Sequence, residues 1–303
     1  MSIFVFGEIL WDVYPEKKVL GGAPFNFAAH LSRLGNEAFL LTAIGDDELG
    51  AETAKAIDGV NLSRDFVSVI DRPTGICQVT ISDDGIPDYD LCPHRAYDYI
   101  PVSENQNEKI AKAAPKALYF GSLAQRNEFS RETLKKLISD HNWDDIFFDI
   151  NIRQKYYTKE IAEDGFRACT VLKISQEEFP VLSELGICDF DVSDVTKIAS
   201  LEAACRFLSD TYNIGTVLLT LGKDGAMAYT KQSGKGILSK TPGGKVVSTV
   251  GAGDSFFGAY TNAYLKGKSA EEALDHAVTL SDFVVQHLES VPEYTKELLE
   301  YLK

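Results

Sequence analysis

The sequence predicts an α/β protein: a doubly wound, mostly parallel sheet with helices on both faces, plus a small β-sheet lid. Three observations carry that expectation. Short apolar runs bounded by turn residues alternate with amphipathic stretches of helical spacing, as strands joined through crossover helices do. Polar residues follow those runs closely (Gly121-Ser122, Asp149 to Arg153, Lys173 to Ser175, Gly222 to Gly225), and ligands of such sheets bind beyond the carboxyl ends of strands. Finally, Val13–Leu20 and Thr74–Ile100 break the rhythm with short alternating runs between Asp, Gly and Pro turns, which predicts antiparallel strands projecting from the body.

Taken in chain order, Ile3–Leu10 reads as a strand, followed by a helix near Asn26–Leu34 that Gly35 ends. Ala38–Ile44 is the next strand, leading into a Gly45-Asp46-Asp47 turn. Ala117–Phe120, Ile146–Ile150, Val171–Ile174 and Thr216–Thr220 are each short, apolar and followed by a helical pattern. Near the end, Gly267 closes one helix, and Ser269-Ala270-Glu271-Glu272 fits a capping box for another running to about Leu288. No repeat, low-complexity tract or linker intervenes. Residues 1–303 therefore read as a single domain, with a lid formed by about 13–20 and 74–100.

Composition narrows the class. Charged residues at 25% and hydrophobic residues at 45% suit a globular chain that can bury a substantial core. A net charge of −15 without any Lys/Arg block argues against a nucleic-acid partner, so phosphate recognition would have to come from local backbone N–H groups and a few cations. The first residues, Met1 to Glu8, form a strand pattern without a basic leader region, and no stretch is long and apolar enough to span a bilayer. Five scattered cysteines (Cys77, Cys92, Cys169, Cys188, Cys205) form no CxxC and read as reduced thiols of a cytoplasmic protein. The histidines show no zinc-site spacing, and in that compartment the Asn61-Leu62-Ser63 sequon is chance.

The most informative segment is Ser248-Thr249-Val250-Gly251-Ala252-Gly253-Asp254, set just ahead of an apolar helical pattern. Small residues at 251–253 admit a ligand close to the backbone, and a helix N-terminus directs its free N–H groups at an anion. Asp254 has two readings there: a general base for an attacking hydroxyl, or an acid that merely complements the helix dipole. Gly21-Gly22-Ala23-Pro24-Phe25-Asn26-Phe27-Ala28-Ala29 opens another amphipathic helix. No GxxxxGK[ST] and no strand-linked GxGxxG occurs, which disfavours P-loop enzymes and Rossmann dehydrogenases.

Together the two segments resemble both signature motifs of the ribokinase-like (PfkB) carbohydrate kinases, and the resemblance spans nearly the whole chain. The first signature reads as Gly21, Gly22, Pro24, Asn26, Ala28, Gly35 and Gly45; the second as Ser248, Thr249, Gly251, Ala252, Gly253, Asp254, Gly258, Ala259 and Tyr260. The resemblance implies an ATP- and Mg²⁺-dependent sugar kinase in which Asp254 deprotonates a primary hydroxyl and Gly251, Ala252 and Gly253 form the anion hole. It implies sugar contacts from Asp12, Gly21, Gly22 and Asn26. Asp12 otherwise reads as a turn cap, and Asn26 as a plain N-cap. Lys173-Ile174-Ser175-Gln176-Glu177-Glu178 stands where the family has Asn-x-x-Glu, so Ser175 falls to the nucleotide and Glu178 to water on Mg²⁺; Glu178 also reads as a helix-start acid. Thr220, Gly222 and Gly225 would meet phosphates and ribose, their segment also reading as a hairpin turn, and the final helix near Val278 and Ser281 would wall the adenine.

Asp149-Ile150-Asn151-Ile152-Arg153 matches the D-x-N-x-R of fructokinases and 2-keto-3-deoxygluconate kinases, giving Arg153 to phosphate or to a substrate carboxylate, or else leaving it an exposed surface residue. Fructose is the sugar most similar in motif; 2-keto-3-deoxygluconate, another ketose or a nucleoside is the alternative. A sugar-binding sensor without catalysis is the contrasting reading, opposed by Asp254 and its intact glycine run. Ser248 stands where many members carry Asp and Val250 where ribokinase carries Thr, so monovalent-cation dependence is not implied. The lid segment Tyr89 to Asp98 lacks the Arg pattern of typical fructokinases. The resemblance also implies a homodimer through the lid, whose uncovered edge invites pairing.

Overall fold

The computed structural model describes residues 2–81, 87–113 and 116–303, so residues 82–86 within the expected lid, residues 114–115 and Met1 lie outside the described residues. The chain opens with β1 (Ser2–Phe6), β2 (Leu10–Val13) and β3 (Lys18–Gly21), then α1 (Ala23–Arg33), β4 (Glu37–Gly45), α2 (Glu48–Gly59) and β5 (Val67–Ile70). Next come β6 (Gly75–Ile81), β7 (Pro87–Asp90), α3 (Glu104–Ala113), β8 (Ala117–Gly121), α4 (Glu128–Asp140), β9 (Asp145–Asp149) and α5 (Lys159–Ala168). The remainder is β10 (Val171–Ser175), α6 (Phe179–Glu184), α7 (Ile198–Tyr212), β11 (Thr216–Thr220), β12 (Ala226–Thr230), β13 (Lys235–Ser239), α8 (Ala252–Leu265), α9 (Ala270–Val284) and α10 (Lys296–Tyr301).

Nine strands make the main sheet in the order β13-β12-β11-β10-β9-β8-β1-β4-β5, parallel from β11 through to β5. Its strands are apolar on both sides because helices cover both faces. The period of two is visible in β1: Ile3 and Val5 join one apolar layer, with α1, α2, α8 and α9, while Phe4 and Phe6 join the other, with α3 to α7. Parallel pairing puts the carboxyl ends of β1, β8, β9, β10 and β11 along one edge. Glu8, Ser122, Asp149, Ser175 and Thr220 all emerge there.

The structure corrects several expectations. The Ile3–Leu10 run is divided: β1 ends at Phe6, and Leu10 starts the second sheet. That sheet has the order β3-β2-β6-β7 and is mixed rather than antiparallel, since β2 pairs parallel with β6 while β3 and β7 flank them antiparallel. Alternation alone predicts a half-buried strand and says nothing about the direction of its neighbour. Thr216–Thr220 is followed not by a helix but by a short 3₁₀ turn (Gly222–Asp224) and the antiparallel β12 and β13. The helix opened by Ser269 stops at Val284 rather than near Leu288, and Val278 and Ser281 belong to this α9, not to the final helix α10.

Candidate active site

Local sequence sets the start of α8. Gly251 precedes the helix with φ +81°, and a side chain there would begin 2.7–2.9 Å from Ser290 atoms, so only glycine fits. Ala252, Gly253 and Asp254 then occupy the first turn, whose N–H groups lack partners within the helix. Asp254 is 9% exposed, and its Oδ2 accepts from Asn26 Nδ2 at 2.7 Å. Burial pushes its carboxyl up to about 6; Asn26 opposes the rise, Asp149 adds to it, and Lys173 and Arg153 oppose it. A base with this character is ionised at neutral pH and still basic enough to take a proton.

Asn26 lies inside α1 rather than capping it. The helix starts after Gly22, whose φ of +108° and approach to the Glu8 carbonyl exclude a side chain, and Pro24 sits in its first turn. Asn26 Oδ1 accepts from Ser290 Oγ at 3.1 Å, so the amide is held on both sides. On the second sheet, Leu10 pairs with Gly21, which brings Asp12 Oδ2 within 3.5 Å of where a Gly21 side chain would begin. Burial raises the Asp12 carboxyl, with the Cys77 thiol beside it and Arg153 opposing. Asp12, Gly21, Gly22, Asn26 and Asp254 thus share one region. Glu8 joins them there: it is 3% exposed, burial pushes it up to about 7, and its Oε2 has no hydrogen-bond partner among the described residues. The hydroxyls of Tyr97 and Tyr119 are likewise buried without a partner.

A cavity of about 440 Å³ adjoins the α8 N-terminus, and Thr220, Gly222, Gly225, Ala252, Gly253, Val278 and Ser281 all line it. The 219–225 segment is both the hairpin turn between β11 and β12 and a wall of this cavity. Ser281 Oγ donates to the Ala252 carbonyl at 3.0 Å, pinning α9 against the first turn of α8. Asp282 accepts from the N–H groups of Gly243 and Gly244 at 3.1 and 3.0 Å, shaping the facing loop.

Other expected residues are placed differently. Ser175 is not among the lining residues; its N–H donates to Glu178 Oε2 at 2.7 Å. Glu178 Oε1 accepts from Ile152 N–H at 2.7 Å, and burial raises this carboxyl against the pull of Lys173. Arg153 is exposed, in a loop where Asn151 and Gln154 have left-handed backbone, and makes no ion pair among the described residues. Ser248 Oγ accepts from Val250 N–H at 3.2 Å, and the Val250 side chain is exposed.

A pfkB-family carbohydrate kinase model matches residues 6–295. The chain belongs to that family. It is 25% identical over 285 residues to an ATP-dependent 6-phosphofructokinase of Thermoanaerobacterium thermosaccharolyticum, covering 92% of this chain and 82% of the relative. It is 26% identical over 294 residues to a probable fructokinase-2 of Arabidopsis thaliana, covering 88% of this chain and 82% of the relative. Among solved structures, a 2-dehydro-3-deoxygluconokinase of Thermotoga maritima superposes with a TM-score of 0.80 at 20% identity, over 100% of this chain and 99% of that one, a likeness that carries the fold.

For a kinase, the residue that motif reading left without a role is Lys173. Its ammonium lies 2.8 and 3.0 Å from the two Asp149 oxygens and 3.2 Å from where a Gly253 side chain would begin, a buried cation against the first turn of α8. Burial works against its charge, but Asp149, Glu178 and Asp254 outweigh that and raise it. A lysine within the apolar run Val171-Leu172-Lys173-Ile174 was the available signal, because such a residue is buried only with a partner. The register Lys173↔Asp149 supplies that partner. The donor set also bears on metal. Both Glu178 oxygens hold backbone N–H groups, and no cluster of three or more His, Cys, Asp or Glu able to hold an ion occurs among the described residues. A divalent cation that keeps most of its waters and binds through few carboxylates is compatible with this donor set. Among the described residues no helix is long and apolar enough to cross a membrane.

Proposed function

We propose that this carbohydrate kinase transfers the γ-phosphoryl group of ATP to the primary hydroxyl of a ketohexose, D-fructose, giving fructose 6-phosphate. The observation that carries the reading is the buried Asp254 carboxylate, held by Asn26 in the first turn of α8 beside the nucleotide-sized cavity. Asp12, Asn26 and the backbone at Gly21 and Gly22 bind the acceptor's hydroxyls, and the unpartnered Glu8 Oε2, Tyr97 and Tyr119 hydroxyls supply further hydrogen-bonding capacity for a polyol. Asp254 takes the proton as the hydroxyl oxygen bonds to phosphorus and the bond to the ADP oxygen breaks. The N–H groups of Gly251 to Asp254 and the Lys173 ammonium meet the charge on the transferred group. Thr220, Gly222, Gly225, Val278 and Ser281 hold the nucleotide, with Ser175 at its margin.

Mg²⁺ bound with the nucleotide would supply charge neutralisation, and Glu178 would accept hydrogen bonds from its water. The small sheet acts as a lid that excludes water and suppresses ATP hydrolysis. Its return segment is anchored by Arg126, which donates to both Asp98 oxygens at 2.7 and 3.0 Å and to the carbonyls of Leu91 and Cys92. A homodimer through that sheet fits its uncovered edge strand β3, and sedimentation velocity tests it.

One observation favours a second reading. Exposed Arg153, without an ion pair among the described residues, suits an anionic acceptor such as 2-keto-3-deoxygluconate. Coupled ADP release with Mg-ATP against fructose, fructose 6-phosphate, 2-keto-3-deoxygluconate, pentoses and nucleosides separates the two, with Asp254→Asn run alongside. Turnover on fructose that disappears in the variant supports the first reading. Turnover confined to an acid sugar replaces the substrate but keeps the base, whereas binding without turnover points to a sensor.

A further inference from the structure

The loop between α9 and α10 passes beneath α1 and reaches the candidate base through an unbroken run of hydrogen bonds. His30 of α1 is fully buried, and burial pushes its imidazole down to about 3, so the ring is neutral. Its Nε2 lies 3.0 Å from the Ser290 carbonyl, which only accepts; Nε2 therefore carries the proton, and Nδ1 accepts from the Tyr294 hydroxyl. Ser290 turns its side chain the opposite way, donating from Oγ to Asn26 Oδ1 at 3.1 Å, and Asn26 Nδ2 donates to Asp254 Oδ2 at 2.7 Å. Arg33 fastens the same loop, bonding the Val291 carbonyl at 3.3 Å and pairing with Glu293 at 2.7 Å. Ser290 is 7% exposed and packs directly under Gly251.

We propose that Ser290 is a positioning residue for phosphoryl transfer: its hydroxyl holds the Asn26 carbonyl oxygen, and the amide so held keeps Asp254 as a carboxylate with one oxygen free for the substrate proton. A primary amide has two faces that differ only in which atom donates. Turned one way, Asn26 gives Asp254 an N–H; turned the other, it gives a carbonyl oxygen that repels the carboxylate. The Asp254 carboxylate, which only accepts, selects the first, and the Ser290 hydroxyl then donates to the carbonyl oxygen that faces it, on a backbone that His30 holds in place. Asp254 Oδ1 makes no hydrogen bond among the described residues, which leaves it for the acceptor. The other charged groups around Asp254 are Asp149 on β9, Lys173 on β10, Arg153 in the loop after β9 and Glu8 after β1, and none of them touches Ser290. The proposal rests on Asp254 being the base.

The test is the pH profile of kcat for the full chain and for Ser290→Ala, Ser290→Cys and Asp254→Asn, by coupled ADP release. Ser290→Ala keeps the Cβ packed under Gly251 and removes only the hydroxyl. Losing an oriented hydrogen bond to a charged group should move the acidic limb upward by about half to one pH unit, a roughly 3–10-fold loss on the acid side with the alkaline plateau nearly intact. Ser290→Cys, a weaker donor, should fall between, and it carries the test if the alanine variant does not fold. A uniform loss at every pH would mean that Ser290 only supports packing, and an unmoved limb would overturn the proposal equally. An active Asp254→Asn removes the base reading and the proposal with it. An inactive Asp254→Asn beside an unshifted Ser290→Ala removes the proposal alone.

Discussion

Replacing Lys173 with Met separates the two tasks proposed for this buried cation, neutralising Asp149 and serving the transferred group. Its side chain is 7% exposed and that of Asp149 is 0% exposed, so the pair is out of water on both sides. Losing one partner of such a pair costs about 3–5 kcal/mol, because the remaining charge is stranded. Lys173→Met should therefore lower unfolding stability by roughly that amount in urea titrations. Adding Asp149→Asn removes the stranded charge and should recover about half or more of the loss, since a neutral replacement of a buried ion pair is often tolerated. Turnover should behave differently. Without the ammonium against Gly253, kcat should fall about 10²–10³-fold, the magnitude of one lost charge-stabilising donor, and the second substitution should not restore it. The single Asp149→Asn variant keeps the ammonium and should retain more turnover than Lys173→Met. If stability and kcat recover together in the double variant, Lys173 is only a structural counter-ion. If Lys173→Met is both stable and active, the ammonium neither neutralises Asp149 nor serves the transfer.

Asp254→Asn should lower kcat by about 10²–10⁴-fold at neutral pH with the fold intact by circular dichroism. In the unaltered protein only the ionised carboxylate accepts a proton, so kcat should fall as pH drops through about 6 and level off above it; a pH-rate profile without that acidic limb would contradict the assignment. Glu8 makes an opposite kind of statement, about stability. Its buried carboxyl is raised from 4.5 to about 7, so the folded state favours the proton, and the cost of ionising it is absent at low pH and complete above about pH 7. Glu8→Gln should accordingly raise stability by up to about 3 kcal/mol at alkaline pH and change little near pH 4, in urea titrations at the two pH values. Gly251→Ala meets both a left-handed backbone and Ser290, and should cost roughly 1–3 kcal/mol or more along with most activity, read by thermal unfolding and ADP release. Arg126→Ala strands Asp98 at the base of the small sheet and should cost about 3–5 kcal/mol while raising the KM for the acceptor more than that for ATP.

How far each feature was legible follows from the range of the interaction behind it. The alternation of apolar runs with amphipathic helices needs only local periodicity, and the doubly wound sheet and its helix layers follow from it. The start of α8 was legible for the same reason: a glycine that must adopt a positive φ, small neighbours and a following helix are all within a few residues, whereas α1, expected from near Asn26, begins earlier at Ala23 with Pro24 in its first turn. Exact ends were less so. The capping box at Ser269 marks a beginning, but nothing comparable after Val284 marked the stop.

What sequence determined by itself is the kind of fold and the location of the glycine-led start of α8 with Asp254 in its first turn, because short-range backbone chemistry decides both. Tertiary structure alone decided the rest. The parallel pairing of β2 with β6 and the antiparallel hairpin after Thr220 depend on neighbours that an alternating pattern does not name. Lys173 met Asp149 only through the register of adjacent strands, 24 residues apart in the chain. Asn26 reads as a sugar contact in its motif, yet its amide spans 228 residues to Asp254 and 264 to Ser290. Such contacts form because burial leaves no polar group without a partner, and which partner arrives is settled only when the whole chain has packed.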